Sequence, residues 1–345
     1  MPGDGTDTTR RAALLGAAGL AAWTASPGGR GASAQPVAGG RPVRVVVPYA
    51  AGGAVDLVGR LLAERMEPVL GQQVVVDNRA GAAGIVGADA VAKARPADGA
   101  TLGVIGMTTL CAYKTLYNRL PFDPDKDFAP VSQISAGTVV CCVNKDAQAK
   151  HGWTDFRRLV AWMRANPDGL RFGTAGVGTT AHFVMAAVQK ATGTKALMVT
   201  YRGGAPAVAD LQAGVIDMMF ELTPGLMPLV EQGVASPLAV GSAARVAALP
   251  EVPGMAEFAD IGLGGVDINA WEALMAPAGT PPDVAERLNA AVRRAGADPV
   301  MRERLRASGF AVETSDSPAA LAAKIQREIP LWRKLVEDSG AKLDV

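Results

Sequence analysis

The chain has 345 residues, with 34 Lys and Arg against 33 Asp and Glu, a formal net charge of +1, and 49 % hydrophobic residues. So even a balance, with no basic block beside aromatic residues, leaves nucleic acid without an evident landing surface. Two histidines and three cysteines, without C-x-x-C or H-x-x-x-H spacing, argue against a metal site, and no cofactor is expected. Residues 1–34 read as an export signal rather than as fold. Thr8-Thr9-Arg10-Arg11 precede an Ala/Gly-rich apolar run from Ala12 to Trp23, and Ala32-Ser33-Ala34 has the small-x-small form of a cleavage site before Gln35. The adjacent arginines favour twin-arginine export, with an ordinary secretory signal as the alternative. That run is shorter than the ~20 residues of a spanning helix, and no later stretch reaches that length without Gly, Pro or charge. A soluble periplasmic protein is expected, and its remaining length suits two domains of ~150 residues.

Along the mature chain, strand and helix alternate. Val43 to Pro48 is a continuous apolar strand, followed by the Gly-rich turn PYAAGGAVD and a helix with Val55, Val58, Leu62 and Met66 on one face. Gln73 to Asp77 is a strand, Ile85 to Lys93 a helix and Thr101 to Ile105 a strand, the order of parallel βαβ units. Phe128 to Ile134 and Thr138 to Asn144 read as two further strands. Trp153 to Asn166 is a helix capped by Thr154, and Leu170 to Gly173 leads into a second Gly-rich turn, RFGTAGVGTTAHF, before a helix from Thr180 to Thr192. Strand Ala196 to Thr200, helix Ala205 to Ala213 and strand Val215 to Phe220 complete a second α/β unit. Strands Pro237 to Gly241 and Trp271 to Ala276 follow. Thr280-Pro281-Pro282-Asp283 reads as a helix start with Thr280 as N-cap, and Ser317-Pro318 opens a last helix past Trp332. The domain reading is 35–138 for the first part of lobe 1, 139–235 for lobe 2, and 236–345 for the return to lobe 1 with the C-terminal helices. Thr138 to Asn144 and Pro237 to Gly241 then form the hinge.

Both Gly-rich turns end a strand and open a helix, where unpaired N–H groups and the positive end of the helix dipole suit an anion. Cys141 and Cys142 are neighbours in a strand while Cys111 follows another, so both a disulfide from Cys111 to one of the pair and three buried thiols stay open.

At VPYAAGGAVD, VVVDNRAGAAGIVGADAVAKARPADG, LYNRLPFDPDKDFAPVS, RFGTAGVGTTAH, VTYRGGAPAVADLQAGVIDMMF and LMAPAGTPPDVAERLNAAV, the chain resembles the Bug-type extracytoplasmic receptors of tripartite tricarboxylate transporters. These six stretches stand in the family's order and span essentially the whole mature chain. The resemblance implies a type 2 periplasmic binding protein: two α/β lobes joined by crossover hinge strands, with the ligand cleft between them. It implies a monomer that hands a small-molecule carboxylate to membrane permease subunits. It also implies a ligand site at Tyr49, Ala51, Gly52, Gly53 and Asp56 of the first loop, Met107 and Thr108 after the third strand, and Thr174, Gly176, Gly178, Thr179, Thr180 and His182 of the second loop, with Tyr201 and Glu221. The amides of Ala51, Gly52 and Gly53 are expected to meet one carboxylate, and Thr174, Gly178, Thr179 and Thr180 the other. Asn78, Arg79 and Gly81 match a further family loop, and each residue also has a structural reading: tight turns for the glycines, a helix-dipole acid for Asp56, N-caps for Thr179 and Thr180, core packing for His182 and an ion pair for Arg79.

Two departures from the family pattern stand out. Phe220-Glu221-Leu222 replaces the usual Phe-Asp-Asn or Phe-Asp-Ser, and Met107 occupies a position that is commonly small and polar. These point to a bulkier or partly apolar acid, aromatic acids included. A competing enzyme reading finds no G-x-S-x-G elbow and no P-loop. A sensor presenting an organic acid to a membrane kinase remains the alternative to transport.

Overall fold

The computed structural model describes residues 37–344, so the expected export signal lies outside them. Strand β1 (Val43–Val47) is buried at four of its five residues, and helix α1 (Ala54–Leu70) buries Val55, Val58, Leu62 and Met66 as their spacing predicts. Gly71, at φ 63°, ends α1 by donating its N–H to the Glu67 carbonyl. Strand β2 (Val74–Asn78), helix α2 (Ile85–Ala92) and strand β3 (Thr101–Gly106) follow, then a π-turn at Thr108–Ala112 and a short helix α3 (Tyr113–Leu116). The next strand, β4, runs unbroken from Phe128 to Asn144.

Helix α4 (Lys145–His151) is capped by Asn144, whose Oδ1 accepts the amides of Asp146 and Ala147. Helix α5 (Phe156–Ala165) is capped by Asp155, not Thr154, because the Asp155 carboxylate accepts the Arg158 amide. Then come β5 (Arg171–Thr174), α6 (Thr180–Thr192), β6 (Leu197–Thr200), α7 (Gly204–Gln212) and β7 (Met218–Leu222). Strand β7 starts later than its apolar run predicts, because the amides of Val215 and Ile216 bond back to the Asp210 carbonyl at the end of α7. Helix α8 (Thr223–Glu231) and strand β8 (Ala235–Val240) precede β9 (Asn269–Pro277). The C-terminal part holds α9 (Pro282–Gly296), α10 (Pro299–Ala307), β10 (Phe310–Val312) and α11 (Pro318–Ser339). Pro281, not Thr280, is the N-cap of α9, while the Thr280 hydroxyl donates to the Pro277 carbonyl.

The strand order is β2-β1-β3-β9-β4-β7-β5-β6, with β8 and β10 also paired to β4. β2, β1 and β3 are mutually parallel, as are β6, β5 and β7, so each half carries the expected βαβ pattern. Between them β4 is antiparallel to β9 from Phe128 to Thr138, and to β7 from Val139 onward. The two strands expected here are therefore one. Ser135 to Gly137 does not break it because β10 pairs along that stretch, and Gly137 admits the Phe310 ring, whose Cδ1 stands 2.5 Å from where a Cβ would be. Both halves are α/β layers on one shared strand, and their carboxyl strand ends point at the region between them, where open α/β sheets bind ligands. Among the described residues no helix is long and apolar enough to cross a membrane.

Candidate functional site

Three helices begin at one partly open pocket with about 60 Å³ of free space, enough for a few water-sized groups. The turn after β1 contributes Tyr49, Ala50 and Gly53, and the first turn of α1 adds Ala54 and Val55. Facing them are Ala175, Thr179, Thr180 and Ala181, around the start of α6, and Gly204, the first residue of α7. None of the three helices has a side-chain cap at its N-terminus. Three amide-rich, positive helix ends thus converge on one pocket, the α7 end lying against Glu221, whose Oε2 is 2.6 Å from where a Cβ on Gly204 would be. The strand ends close it: Met107 and Thr108 beyond β3, Glu221 and Leu222 from β7, Val139 from β4, and Ala270, Trp271 and Glu272 from β9.

Of the residues picked out in the sequence, Tyr49, Gly53, Met107, Thr108, Thr179, Thr180 and Glu221 meet at this cavity. Ala51, Gly52 and Asp56 instead line a depression on the outside of the same turn, with Leu57, Arg60 and Pro224. The Gly52 amide is engaged: it donates to the Asp56 carboxylate at 2.8 Å, which also accepts from Arg60 and Asn78, each at 2.8 Å. Burial pushes the Asp56 pKa up, but these three donors outweigh it and hold the acid below its ordinary value. Asp56 therefore fastens the loop to α1 and β2. Asn78 also donates to the Tyr49 carbonyl at 3.1 Å, and Arg79 pairs with Asp77 at 2.9 Å, so both belong to the loop's frame.

The second loop is internally braced in the same manner. The Thr179 hydroxyl donates to the Gly176 carbonyl at 2.8 Å and lies 3.1 Å from the Thr174 hydroxyl, both threonines being buried. The Gly178 amide donates to His182 Nδ1 at 3.3 Å, and burial lowers the His182 pKa to about 4, which keeps the ring a neutral acceptor. Gly176 and Gly178, at φ 141° and 89°, shape this turn. Thr174, Gly176, Gly178 and His182 stand behind the cavity wall. Tyr201 lies apart, its hydroxyl donating to Asp210 at 2.6 Å.

Cys111, Cys141 and Cys142 are free and buried, which leaves the disulfide unformed.

Sequence reasoning missed Glu272. It shares the cavity with Glu221, and no Lys, Arg or His side chain lines the wall with them. Burial raises Glu221 to a pKa of about 7; burial, then the charge of Glu221, raises Glu272 to about 8. Glu221 Oε1 accepts the Leu222 amide at 2.9 Å, whereas Oε2 of each glutamate is buried without a partner. Gly106, paired with Glu272 across β3 and β9, makes room for that carboxylate: a Cβ there would stand 3.0 Å from Glu272 Oε2.

Residues 58–341 match the model of the tripartite tricarboxylate transporter family receptors. A UPF0065 protein from the tcbD-tcbE intergenic region of Pseudomonas sp. strain P51 is 39 % identical over 327 residues, 95 % of this chain and 94 % of its own. BugT of Bordetella pertussis is 33 % identical over 304 residues, 88 % of this chain and 90 % of its own. Among solved structures, Rpa4515 of R. palustris with adipate superposes with a TM-score of 0.82 at 32 % identity, covering 88 % of this chain and 99 % of that one. The periplasmic binding protein BugD gives 0.81 at 32 %, with the same coverage. MatC of Rhodopseudomonas palustris with bound malate gives 0.78 at 32 %, over 86 % of this chain and 99 % of that one. With this family match and these folds, the chain belongs to the tripartite tricarboxylate transporter receptors, the Bug-type periplasmic solute-binding proteins.

Proposed function

We propose that this protein is a periplasmic receptor that captures a small organic acid between its lobes and delivers it, as a monomer, to the permease subunits of a tripartite tricarboxylate transporter. The observation that carries the reading is the meeting of three helix N-termini without side-chain caps at one pocket. Backbone amides aligned by helix dipoles select negative charge without a basic side chain, and charge-assisted hydrogen bonds of this kind are about twice as strong as neutral ones. The adipate of Rpa4515 and the malate of MatC support a carboxylate as the solute. Export follows the leader reading, with twin-arginine targeting and cleavage near Ala34.

The ligand set we propose is Tyr49, Gly53, Met107, Thr108, Thr179, Thr180 and Glu221, joined by Glu272 and the first amides of α7. Asp56 and His182 support it from behind. For the lobes we propose crossings at Thr138 and between Gly241 and Asn269. The second is placed later than residue 236 because β8 pairs with the same half of β4 as β7 does, and Phe258 packs on Phe156 with ring centroids 5.1 Å apart.

The role is binding rather than catalysis, so a solute recovered after denaturation should be chemically unchanged. A thermal-shift screen of organic acids beside their amides tests the carboxylate: an acid at ~100 times its Kd adds ~2.7 kcal/mol of stability, and its amide should add almost none. Equal stabilisation by acid and amide overturns the reading.

A further inference from the structure

We propose that a second site, in the groove between α10, β10 and α11, binds an anionic amphiphile: a molecule with an acidic head and a large apolar body. The proposal is independent of the solute that the first pocket takes.

The groove holds about 820 Å³ of free space against about 60 Å³ in the first pocket, and falls inside the range of small-molecule sites, ~300–1,000 Å³. None of the N-termini of α1, α6 and α7 lines it. Met107, Ala270 and Trp271 border both spaces and are themselves buried, so one layer of side chains separates the two. An apolar body that the first pocket has no room for fits on the far side of that layer.

The lining is apolar along much of its length. Phe310 and Trp332 are buried in it, Val246, Val312 and Leu335 are half-buried, and Leu331 stands 65 % exposed. A single exposed leucine is ordinary. Leu331 instead shares one side of α11 with Leu335, four residues on, and so extends a patch that continues into the groove.

The charges around this patch favour an acid as the head. Asp267 accepts the Ala243 amide and the Asn269 side-chain amide, each at 2.9 Å, and Glu313 accepts the Gln133 side-chain amide at 2.9 Å. Glu328 accepts the Trp271 indole N–H at 2.8 Å and lies 3.8 Å from Lys324, which donates to Gln133 at 2.9 Å. Arg306 pairs with Glu303 at 2.8 Å. Arg302 differs from all of these. Its Nε donates to the Gly296 carbonyl at 2.7 Å, and among the described residues no acid pairs with its guanidinium. Its remaining N–H groups form a fork suited to two oxygens of one acid. Arg306 lies one turn further along α10, so positive charge gathers on that wall of the groove.

The test uses the purified mature protein and 8-anilinonaphthalene-1-sulfonate, an apolar body with one sulfonate, whose fluorescence rises in an apolar site. One molecule should bind per chain. Arg302→Gln should weaken it about tenfold, the scale of a hydrogen bond to a charged group. The uncharged N-phenyl-1-naphthylamine should be unmoved by that change. Leu331→Glu should weaken both probes about tenfold or more, and its exposed position keeps the test intact if loss of the bond from Arg302 to Gly296 unsettles α9. Octanoate should displace the sulfonate probe, whereas acetate and 1-octanol at the same concentration should not. If the probe does not bind saturably, or if both variants leave its affinity within about threefold, the site is overturned. Loss in Leu331→Glu alone, or equal displacement by 1-octanol, overturns the acidic head; equal displacement by acetate overturns the apolar body.

Discussion

Gly178 meets Leu116 so closely that a Cβ on the glycine would stand 2.4 Å from Leu116 Cδ2. The second loop, from the half that carries β5 and β7, is thereby seated against α3 beyond β3. Gly176 repeats the contact, since a Cβ there would lie 3.0 Å from the Ala83 Cβ, and Tyr117 donates to the Val177 carbonyl at 3.5 Å. Glycines at these points let the halves meet over the cavity. Gly178→Ala places a non-Gly residue at φ 89°, which costs ~1–2 kcal/mol of overall stability, and its clash with Leu116 weighs on the closed form alone. Solute affinity should fall about tenfold, and small-angle scattering should show less compaction on binding. Unchanged affinity would show that the contact plays no part in closure.

The two threonines at the start of α6 should separate stability from binding. Thr179→Val removes one hydroxyl from a buried network in which Thr174 still donates to the Gly176 carbonyl at 3.2 Å, at a cost of ~0.5–1.5 kcal/mol. Thr180→Val changes a half-buried residue on the cavity wall. Chemical denaturation should register the first, and calorimetric titration the second, as a severalfold rise in Kd with stability nearly intact.

Glu221 and Glu272 give the empty protein a definite pH dependence. Their folded pKa values, about 7 and about 8, lie above the ordinary glutamate value of 4.5. Between those limits the folded state holds protons that the unfolded state has lost, so these groups lower stability as pH rises from about 4.5 to 8. Melting temperature without solute should be higher near pH 5.5 than at pH 8. Glu272→Gln should flatten that slope and stabilise the protein at pH 8 by a few kcal/mol. A slope that the variant leaves untouched would mean Glu272 ionises freely when folded.

All three cysteines are buried, and burial raises each thiol pKa. Native protein should react with a thiol reagent only on the timescale of unfolding, and three equivalents should appear after denaturation without reductant. One equivalent would mean that Cys111 has paired with a neighbour.

Much of this architecture is legible in the order of residues. The β1–α1 and β5–α6 junctions announce themselves because a strand, a run of small residues and an amphipathic helix follow one another without a gap. What local pattern does not carry is the direction in which a polar side chain turns. Asp56, His182 and Thr174 sit in or beside the two Gly-rich loops, yet each spends its polar atoms on the loop itself. Glu272 had the opposite fate: it comes from β9, nearly a hundred residues beyond the second loop, and reaches the cavity only because β9 lies between β3 and β4. A signal was present. One acid inside the apolar run Ala270 to Ala276 is unusual for a central strand, where a charge is seldom buried without a reason. The short helices α4 and α8 escaped because each starts at the last residue of a strand or directly after it, with no intervening turn to mark it.

Along β4, Thr138 is the last residue paired to β9 and Val139 the first paired to β7, so one peptide bond divides the two ladders. Val139, Glu221, Leu222, Ala270, Trp271 and Glu272, all beside that divide, also wall the cavity. A solute held at the proposed site would sit beside this divide rather than at the rim. If the halves turn about that bond, small differences in its shape would act on a short lever arm, and the outer faces of the halves would translate them into larger displacements. The angle between those faces would then be a readout of which molecule is inside, available to anything that grips both at once.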